Sequence, residues 1–130
     1  MTEKTLQKVF YVEDEEDIIA IAEIALSDVG GLSFKSCNVS KEAIGKALEF
    51  KPDLFLLDVM MPEVDGPTLL KQIRNTHELK ETPVIFMTAK TQRNEVSQYI
   101  EMGALSVITK PFDPMTLAEQ IRVIWAQHYG

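Results

Sequence analysis

The sequence predicts an α/β fold in which a doubly wound parallel sheet is covered by helices on both faces. Five short apolar runs alternate with five longer amphipathic stretches along the 130 residues, which is the pattern of repeated β-α units. Three of the runs are apolar almost throughout, as expected of parallel strands buried on both faces. No linker or low-complexity segment divides the chain, so we expect one domain over residues 1–130, with right-handed crossovers between strands.

The strand predictions follow the apolar runs in order. The first, third and fourth runs are the most apolar and should form the buried centre of the sheet. The second run alternates between apolar and polar residues, which predicts a half-exposed edge strand. The five runs cover residues 8–13, 32–37, 53–58, 83–88 and 105–109.

The stretches between the strands carry apolar residues at helical spacing. We expect the first helix over residues 15–29, ended by the Gly30-Gly31 pair, and a second helix capped by Ser40. Pro67 lies in the first turn of the third helix, and Gly103 closes the fourth, whose apolar stripe is the weakest. The predicted stripes, from the first helix to the fifth, are Ile18, Ile21, Ala22, Ala25 and Val29; Ala43, Ile44, Ala47 and Leu48; Leu69, Leu70 and Ile73; Val96, Tyr99 and Ile100; and Leu117, Ile121, Ile124 and Trp125.

Charge and composition exclude several classes of function. Thirteen Lys and Arg against twenty Asp and Glu give a net charge of −7, which disfavours binding to nucleic acids and to anionic membranes. The N-terminus has no apolar signal-peptide core, and no apolar run reaches the roughly 18 residues that span a bilayer. The single cysteine suits a reducing compartment. We therefore expect a cytoplasmic protein, with Cys37 as a half-buried thiol and both His77 and His128 at the surface.

Polar residues stand where four of the predicted strands end. Glu13 and Asp14 close the first strand, Asp58 closes the third, Thr88 closes the fourth, and Lys110 follows the fifth. In a doubly wound sheet, ligands bind beyond the carboxyl ends of the strands, at the point where the strand order reverses. If the first and third strands are neighbours, the three carboxylates converge, and each pair repels by about 1 kcal/mol at 4 Å even in water.

Either proton uptake by one carboxyl group or a bound cation can relieve that repulsion. A hard divalent ion that takes oxygen ligands and keeps several waters fits Mg²⁺. Met60 can contribute its backbone carbonyl to such a site, because its thioether is too soft a ligand. A carboxylate beside Mg²⁺ can in turn act as a nucleophile toward phosphorus.

An incoming phosphoryl group brings three charged oxygens that need partners. Mg²⁺ can neutralise one oxygen, the Lys110 ammonium can pair with a second, and the Thr88 hydroxyl can donate to the third, near the backbone N–H of Ala89. Each residue also has an ordinary structural explanation, as a turn residue, a helix start, a strand residue or a surface lysine. Their coincidence at the ends of several strands of one sheet favours the functional interpretation.

Four segments of the chain resemble the receiver domain of two-component response regulators, a family that includes the chemotaxis regulators. The segments are VED at 12–14, LLDVMMPEVDG at 56–66, MTA at 87–89 and ITKPF at 108–112. Each segment is weak evidence alone, but the set in this order and spacing is specific. The resemblance extends from about residue 8 to residue 128, almost the whole chain.

The resemblance implies a flavodoxin-like strand order 2-1-3-4-5 and a phosphorylation-dependent switch that catalyses only its own phosphorylation and dephosphorylation. The phosphoryl donor would be the phosphohistidine of a sensor histidine kinase or of a phosphotransfer protein. The Lys110-Pro111 peptide bond would be cis. The implied roles are Asp58 as phosphoacceptor; Asp14, Asp58 and the Met60 carbonyl as Mg²⁺ ligands, with Glu13 acting through water; Thr88 as switch hydroxyl; and Lys110 as phosphate partner.

The same resemblance implies how the signal leaves the domain. The surface of the fourth helix, fifth strand and fifth helix would control a downstream effector protein or output domain. A phosphorylation-dependent homodimer is left open, and direct binding to nucleic acid or membrane is not expected.

Three features depart from the family pattern. Glu13 is longer than the Asp that is also common at its position. Val107 stands where many members carry an aromatic side chain that swings inward with the switch threonine, so switching should rest on Thr88 and backbone shifts. Met60 and Lys90 occupy positions that flank the path of the hydrolytic water in the family, and we predict that they set the phosphoryl lifetime.

Alternative functions are weaker. A phosphatase or phosphotransferase that uses an aspartyl-phosphate would carry a second Asp where this chain has Met60, and 130 residues leave no room for a cap domain. A pseudo-receiver would dock a partner without being phosphorylated, but the complete acceptor set argues against it. No phosphate-binding loop supports nucleotide or flavin binding, and no recognition-helix module supports DNA binding.

Overall fold

The structure is a computed structural model that describes residues 5–89 and 92–129. Within these residues the strands are β1 Lys8–Val12, β2 Ser33–Cys37, β3 Leu54–Asp58, β4 Val84–Thr88 and β5 Ser106–Thr109. They form one parallel sheet in the order β2-β1-β3-β4-β5, which confirms the predicted flavodoxin-like architecture. The α-helices are α1 Glu16–Glu23, α2 Ala43–Phe50, α3 Gly66–Arg74, α4 Arg93–Glu101 and α5 Leu117–Tyr129.

Each face of the sheet carries one hydrophobic cluster. Alternate residues of a strand point to opposite faces, so β1, β3 and β4 are buried along nearly their whole length. This two-sided burial explains why the central strands are continuous apolar runs. The first core cluster, against α1 and α5, includes Val9, Tyr11, Leu54, Leu56, Ile85, Met87, Ile108, Leu117, Ile121 and Trp125. The second core cluster, which takes in α2 and α3, includes Phe10, Val12, Phe55, Leu57, Val84, Phe86, Leu69, Leu70 and Ile73.

The first helix buries a different stripe from the predicted one. Its buried residues, with those of the turn that follows, are Ala22, Ala25 and Leu26. Ile21 and Val29 are each 44% exposed, so their predicted burial is wrong. That prediction assumed a regular helix to residue 29, whereas a π-helical turn over Ile24–Val29 continues α1. A π turn holds more residues than an α turn, which rotates Val29 away from the sheet. Ile21 lies before this turn, in the regular α-helical part, so the turn does not explain its exposure.

Ser40 does not cap α2 as predicted. A 3₁₀ turn, Ser40–Glu42, precedes the helix, and the N-cap position falls on Glu42. The buried Ser40 hydroxyl instead donates to the Pro62 carbonyl at 3.0 Å and accepts the N–H of Val64 at 3.2 Å. Ser40 therefore ties the loop after β2 to the loop after β3, the loop that begins at the end of the strand carrying Asp58.

Cys37 is fully buried rather than half-buried, with 2% of its surface exposed. It ends β2 on the side of the second core cluster, where residues of α2 cover the edge of the sheet. Its thiol donates to the carbonyl of Val39 at 3.1 Å. The predictions for His77 and His128 are confirmed, because both side chains are exposed.

α3 and α5 follow their predicted stripes, whereas the stripe predicted for α4 is wrong at Ile100, which is 44% exposed. Asp65 caps α3 by accepting the N–H of Thr68 at 2.8 Å, with Pro67 in the first turn. α5 buries Leu117, Ala118, Ile121 and Trp125. Over Arg93–Glu101, α4 has no buried residue, and Gly103 follows it with a φ of 111°. Among the helices of the described residues, none combines the length and the apolar character needed to cross a membrane.

Gly66 and Gly45 provide a matched test of this packing. Among the described residues, a Cβ at Gly66 would lie 2.6 Å from the Asp58 carbonyl oxygen, whereas a Cβ at Gly45 would meet nothing within 4 Å. Gly66→Ala should therefore lower the free energy of unfolding by about 1–3 kcal/mol through overpacking. Gly45→Ala should raise it by roughly 0.5–1 kcal/mol, because alanine favours the helix. Urea unfolding measures both changes, and shifts of the same sign would contradict the packing.

Candidate functional site

Three of the predicted site residues meet at the carboxyl edge of the sheet. Glu13 follows β1, Asp58 ends β3, and Lys110 follows β5. The residue two positions before each of them belongs to the first core cluster, and residues two apart on a strand share a face. The strands therefore direct all three side chains toward the same side of the sheet. The Lys110 ammonium donates to Oε1 of Glu13 and to Oδ1 of Asp58, at 3.0 Å in each case.

Glu13 is fully buried and is held from several directions. Besides Lys110, the hydroxyl of Tyr11 donates to Oε1 at 3.3 Å, and the backbone N–H of Glu15 donates to Oε2 at 3.3 Å. Tyr11 was not among the predicted site residues. The signal was nonetheless present, because Tyr11 lies two residues before Glu13 on the same face of β1.

Burial shifts the pKa values of this cluster. Removal from water raises the pKa of Glu13 from 4.5 to about 7; the hydrogen bond from Lys110 opposes that rise, and the charge of Asp58 adds to it. Burial acts to lower the pKa of Lys110, but its hydrogen bonds to Glu13 and Asp58 and their charges raise it overall. Burial and then the charge of Glu13 raise the pKa of the Tyr11 hydroxyl. Lys110 and Tyr11 therefore remain protonated donors at neutral pH.

Glu13, Asp14 and Asp58 form an acidic cluster. One carboxylate oxygen from each lies within 4.8 Å of the others. Glu13 and Asp58 are buried whereas Asp14 is exposed, so the cluster has one solvent-facing member. Carboxylate oxygens with access to water fit a hard divalent cation such as Mg²⁺, which keeps several waters when it binds.

Thr88, in β4, and Met60, in the loop after β3, both lie at the edge of the sheet that carries this cluster. Thr88 ends β4 and is buried, and its carbonyl accepts the backbone N–H of Lys110 at 2.9 Å. In the sheet, Asp58 pairs with Met87, the residue before Thr88. Met60 lies in the loop after β3 with its side chain 74% exposed, and the role of its carbonyl as a metal ligand stays a prediction.

The remaining predicted positions surround the site. The Lys110-Pro111 peptide bond is cis, as the resemblance implied. Val107 is half-buried in β5 and packs against the second core cluster. Lys90 lies outside the described residues, so its predicted effect on the phosphoryl lifetime stays a prediction.

Comparison with known sequences identifies one family. The family model of the response regulator receiver domain matches residues 9–122. The alkaline phosphatase synthesis transcriptional regulatory protein PhoP of Bacillus subtilis (strain 168) is 33% identical over 118 residues. That alignment covers 91% of this chain and 48% of PhoP, so the chain spans about half the length of this curated relative.

Solved structures share the fold. The chemotaxis protein CheY4 of Vibrio cholerae matches with a TM-score of 0.83 at 28% identity, over 92% of this chain and 99% of CheY4. A putative response regulator from Chloroflexus aurantiacus J-10-fl matches with a TM-score of 0.82 at 26% identity, over 94% of this chain and 99% of its own. Both likenesses therefore extend over nearly the whole of this chain.

Glu13 should make the stability of the cation-free protein depend on pH. Its pKa rises from 4.5 to about 7 on folding, so the folded state holds the proton more tightly. The stability it contributes is complete below about pH 4.5 and is lost as the pH rises through about 7, at up to about 1.4 kcal/mol per pH unit. As the pH rises from about 4.5 through about 7, the free energy of unfolding of the parent should fall relative to that of Glu13→Gln.

Urea unfolding at several pH values, without divalent cations, measures this difference. Glu23→Gln, at an exposed glutamate of α1, is the control and should follow the parent at every pH. Parallel pH curves for the parent and Glu13→Gln would contradict the raised pKa of Glu13.

Proposed function

The chain belongs to the response regulator receiver domain family, and from that premise we propose that it is a signalling switch whose phosphoacceptor is Asp58. The observation that carries the proposal is the Lys110 ammonium, 3.0 Å from Oδ1 of Asp58 at the buried edge of the sheet. An ammonium held beside a carboxylate can pair with an oxygen of a phosphoryl group that arrives there.

The transfer to Asp58 exchanges one bond to phosphorus for another. The P–N bond of a phosphohistidine breaks while an oxygen of Asp58 forms a P–O bond, and the leaving imidazole nitrogen takes up a proton. The donor would be a sensor histidine kinase or a phosphotransfer protein. Asp58 suits this role because it ends a fully buried strand and is itself only 5% exposed, so its carboxylate is held in a defined place.

Mg²⁺, when bound, supplies charge neutralisation for one phosphoryl oxygen. We assign its ligands to Asp14, Asp58 and the backbone carbonyl of Met60, with Glu13 acting through water. The proximity of the three carboxylates supports this assignment. Met60, whose side chain is exposed, would together with Lys90 control how the hydrolytic water reaches the phosphoryl group. These two residues would thereby set the phosphoryl lifetime.

Thr88 and Lys110 would link the phosphoryl group to the output surface. Lys110 would pair with a second phosphoryl oxygen, and the Thr88 hydroxyl would donate to the third. Movement of Thr88 would displace the chain that leads to α4 and bias the surface of α4, β5 and α5. The absence of any buried residue in Arg93–Glu101 supports α4 as the mobile element. Phosphorylation need only shift an existing equilibrium between two arrangements.

The reader of this surface would be a downstream effector protein or an output domain. The name of PhoP describes a transcriptional regulatory protein, and this chain matches about half of it. A phosphorylation-dependent homodimer and a cytoplasmic location belong to the same proposal. The net charge of −7 supports partners other than nucleic acid and anionic membranes.

A small phosphodonor tests the acceptor. With such a donor and Mg²⁺, the parent should gain one phosphoryl group in intact-mass measurements, and Asp58→Asn should gain none because it lacks the nucleophilic carboxylate. Asp28→Asn, at an exposed aspartate, is the control and should gain the group like the parent. No gain in the parent would contradict the proposal and favour a domain that docks its partner without phosphorylation. A gain in Asp58→Asn would contradict the choice of acceptor.

A further inference from the structure

Tyr11 is a buried polar group beneath the site that the proposed roles leave unused. It lies in β1, between Ser36 of β2 and Leu56 of β3, and its side chain is fully buried in the first core cluster. A ring packed in the centre of the sheet has little freedom to move. Its hydroxyl therefore has a nearly fixed position, and it donates to Oε1 of Glu13 at 3.3 Å.

That oxygen of Glu13 is also the anchor of Lys110. The Lys110 ammonium donates to the same Oε1 at 3.0 Å and donates a second hydrogen bond to Oδ1 of Asp58, also at 3.0 Å. The hydroxyl, the carboxylate, the ammonium and the acceptor thus form one chain of contacts, Tyr11–Glu13–Lys110–Asp58. Because Glu13 is fully buried, loss of one of its donors leaves a buried carboxylate short of a hydrogen bond.

The contact depends on the length of Glu13. An aspartate at this position would be one methylene shorter and would draw the carboxylate back by roughly 1.5 Å, one C–C bond length. From there the 3.3 Å contact with the Tyr11 hydroxyl would lengthen beyond hydrogen-bond distance. The tyrosine is therefore matched to glutamate at this position.

We propose that Tyr11 is a positioning residue: its hydroxyl holds the Glu13 carboxylate in the place from which Lys110 and the acidic cluster serve Asp58. This inference rests on the proposed function. The hydroxyl of Tyr11 donates to Glu13, so it acts on the site through Glu13. Loss of an outer hydrogen bond of this kind lowers metal affinity or activity by about tenfold or more.

Four proteins test this in a double-mutant cycle: the parent, Tyr11→Phe, Glu13→Asp and the double variant. Phenylalanine keeps the ring and the core packing and removes only the hydroxyl. With a small phosphodonor and Mg²⁺, Tyr11→Phe should lower the limiting phosphorylation rate about tenfold and leave the half-saturating donor concentration unchanged. In the Glu13→Asp background, Tyr11→Phe should lower the limiting phosphorylation rate less than about twofold, because its hydrogen bond to residue 13 is already gone.

Calorimetric titration of the same four proteins with Mg²⁺ alone gives a second readout. Tyr11→Phe should raise the dissociation constant for Mg²⁺ about tenfold in the parent background. In the Glu13→Asp background it should raise this constant less than about twofold. Tyr129→Phe is the control: Tyr129 ends α5 and lines a cavity with Gly103 and Leu105, away from Glu13, so loss of its hydroxyl should change neither readout.

The outcomes separate this inference from the proposed function. No loss in Tyr11→Phe, or an equal loss in both backgrounds, would overturn the positioning role, because a merely structural tyrosine would act independently of the residue at 13. A parent that binds Mg²⁺ but gains no phosphoryl group would contradict the proposed function alone, and the Mg²⁺ titrations would then decide the role of Tyr11. A parent that neither binds Mg²⁺ nor gains the group would overturn both.

Discussion

One shared cation allows two carboxylates to be buried at the edge of the sheet. Glu13 and Asp58 lie at the ends of neighbouring strands, and the Lys110 ammonium donates to an oxygen of each at 3.0 Å. Burial of like charges without a partner is costly, and removal of one member of a buried ion pair leaves a charge uncompensated. Lys110 comes from beyond β5, which is separated from β3 by β4, so only a long side chain can complete the contact.

The fold divides into a rigid part that holds this site and a lighter part that can respond to it. The central strands are packed on both faces, and Ser40 fastens the loop after β3 through Pro62 and Val64. By contrast, α4 buries no residue over Arg93–Glu101, so its position is less strongly determined by packing. A charge change at Asp58 can thus act on α4 without disturbing the strands that hold the acceptor.

Sequence periodicity predicted the architecture well because burial on both faces leaves a direct signal, a continuous apolar run. The site residues were predictable because parallel strands bring their carboxyl ends to one edge. The failures have local causes. Val29 was misplaced because a π-helical turn changes the number of residues per turn, and Ser40 because a 3₁₀ turn displaces the helix start. Tyr11 was missed because its place two residues before Glu13 shows only that the two share a face of β1, and not that its hydroxyl reaches the carboxylate.

Lys110 holds this edge of the sheet together by its charge rather than by its packing. Urea unfolding at about pH 8, above the pKa of Glu13 and without divalent cations, tests it directly. Lys110→Met should lower the free energy of unfolding by about 3–5 kcal/mol in the parent, because it leaves buried carboxylates uncompensated. In a background with both Glu13→Gln and Asp58→Asn, the same change should cost less than about 1 kcal/mol. Equal losses in the two backgrounds would contradict the claim.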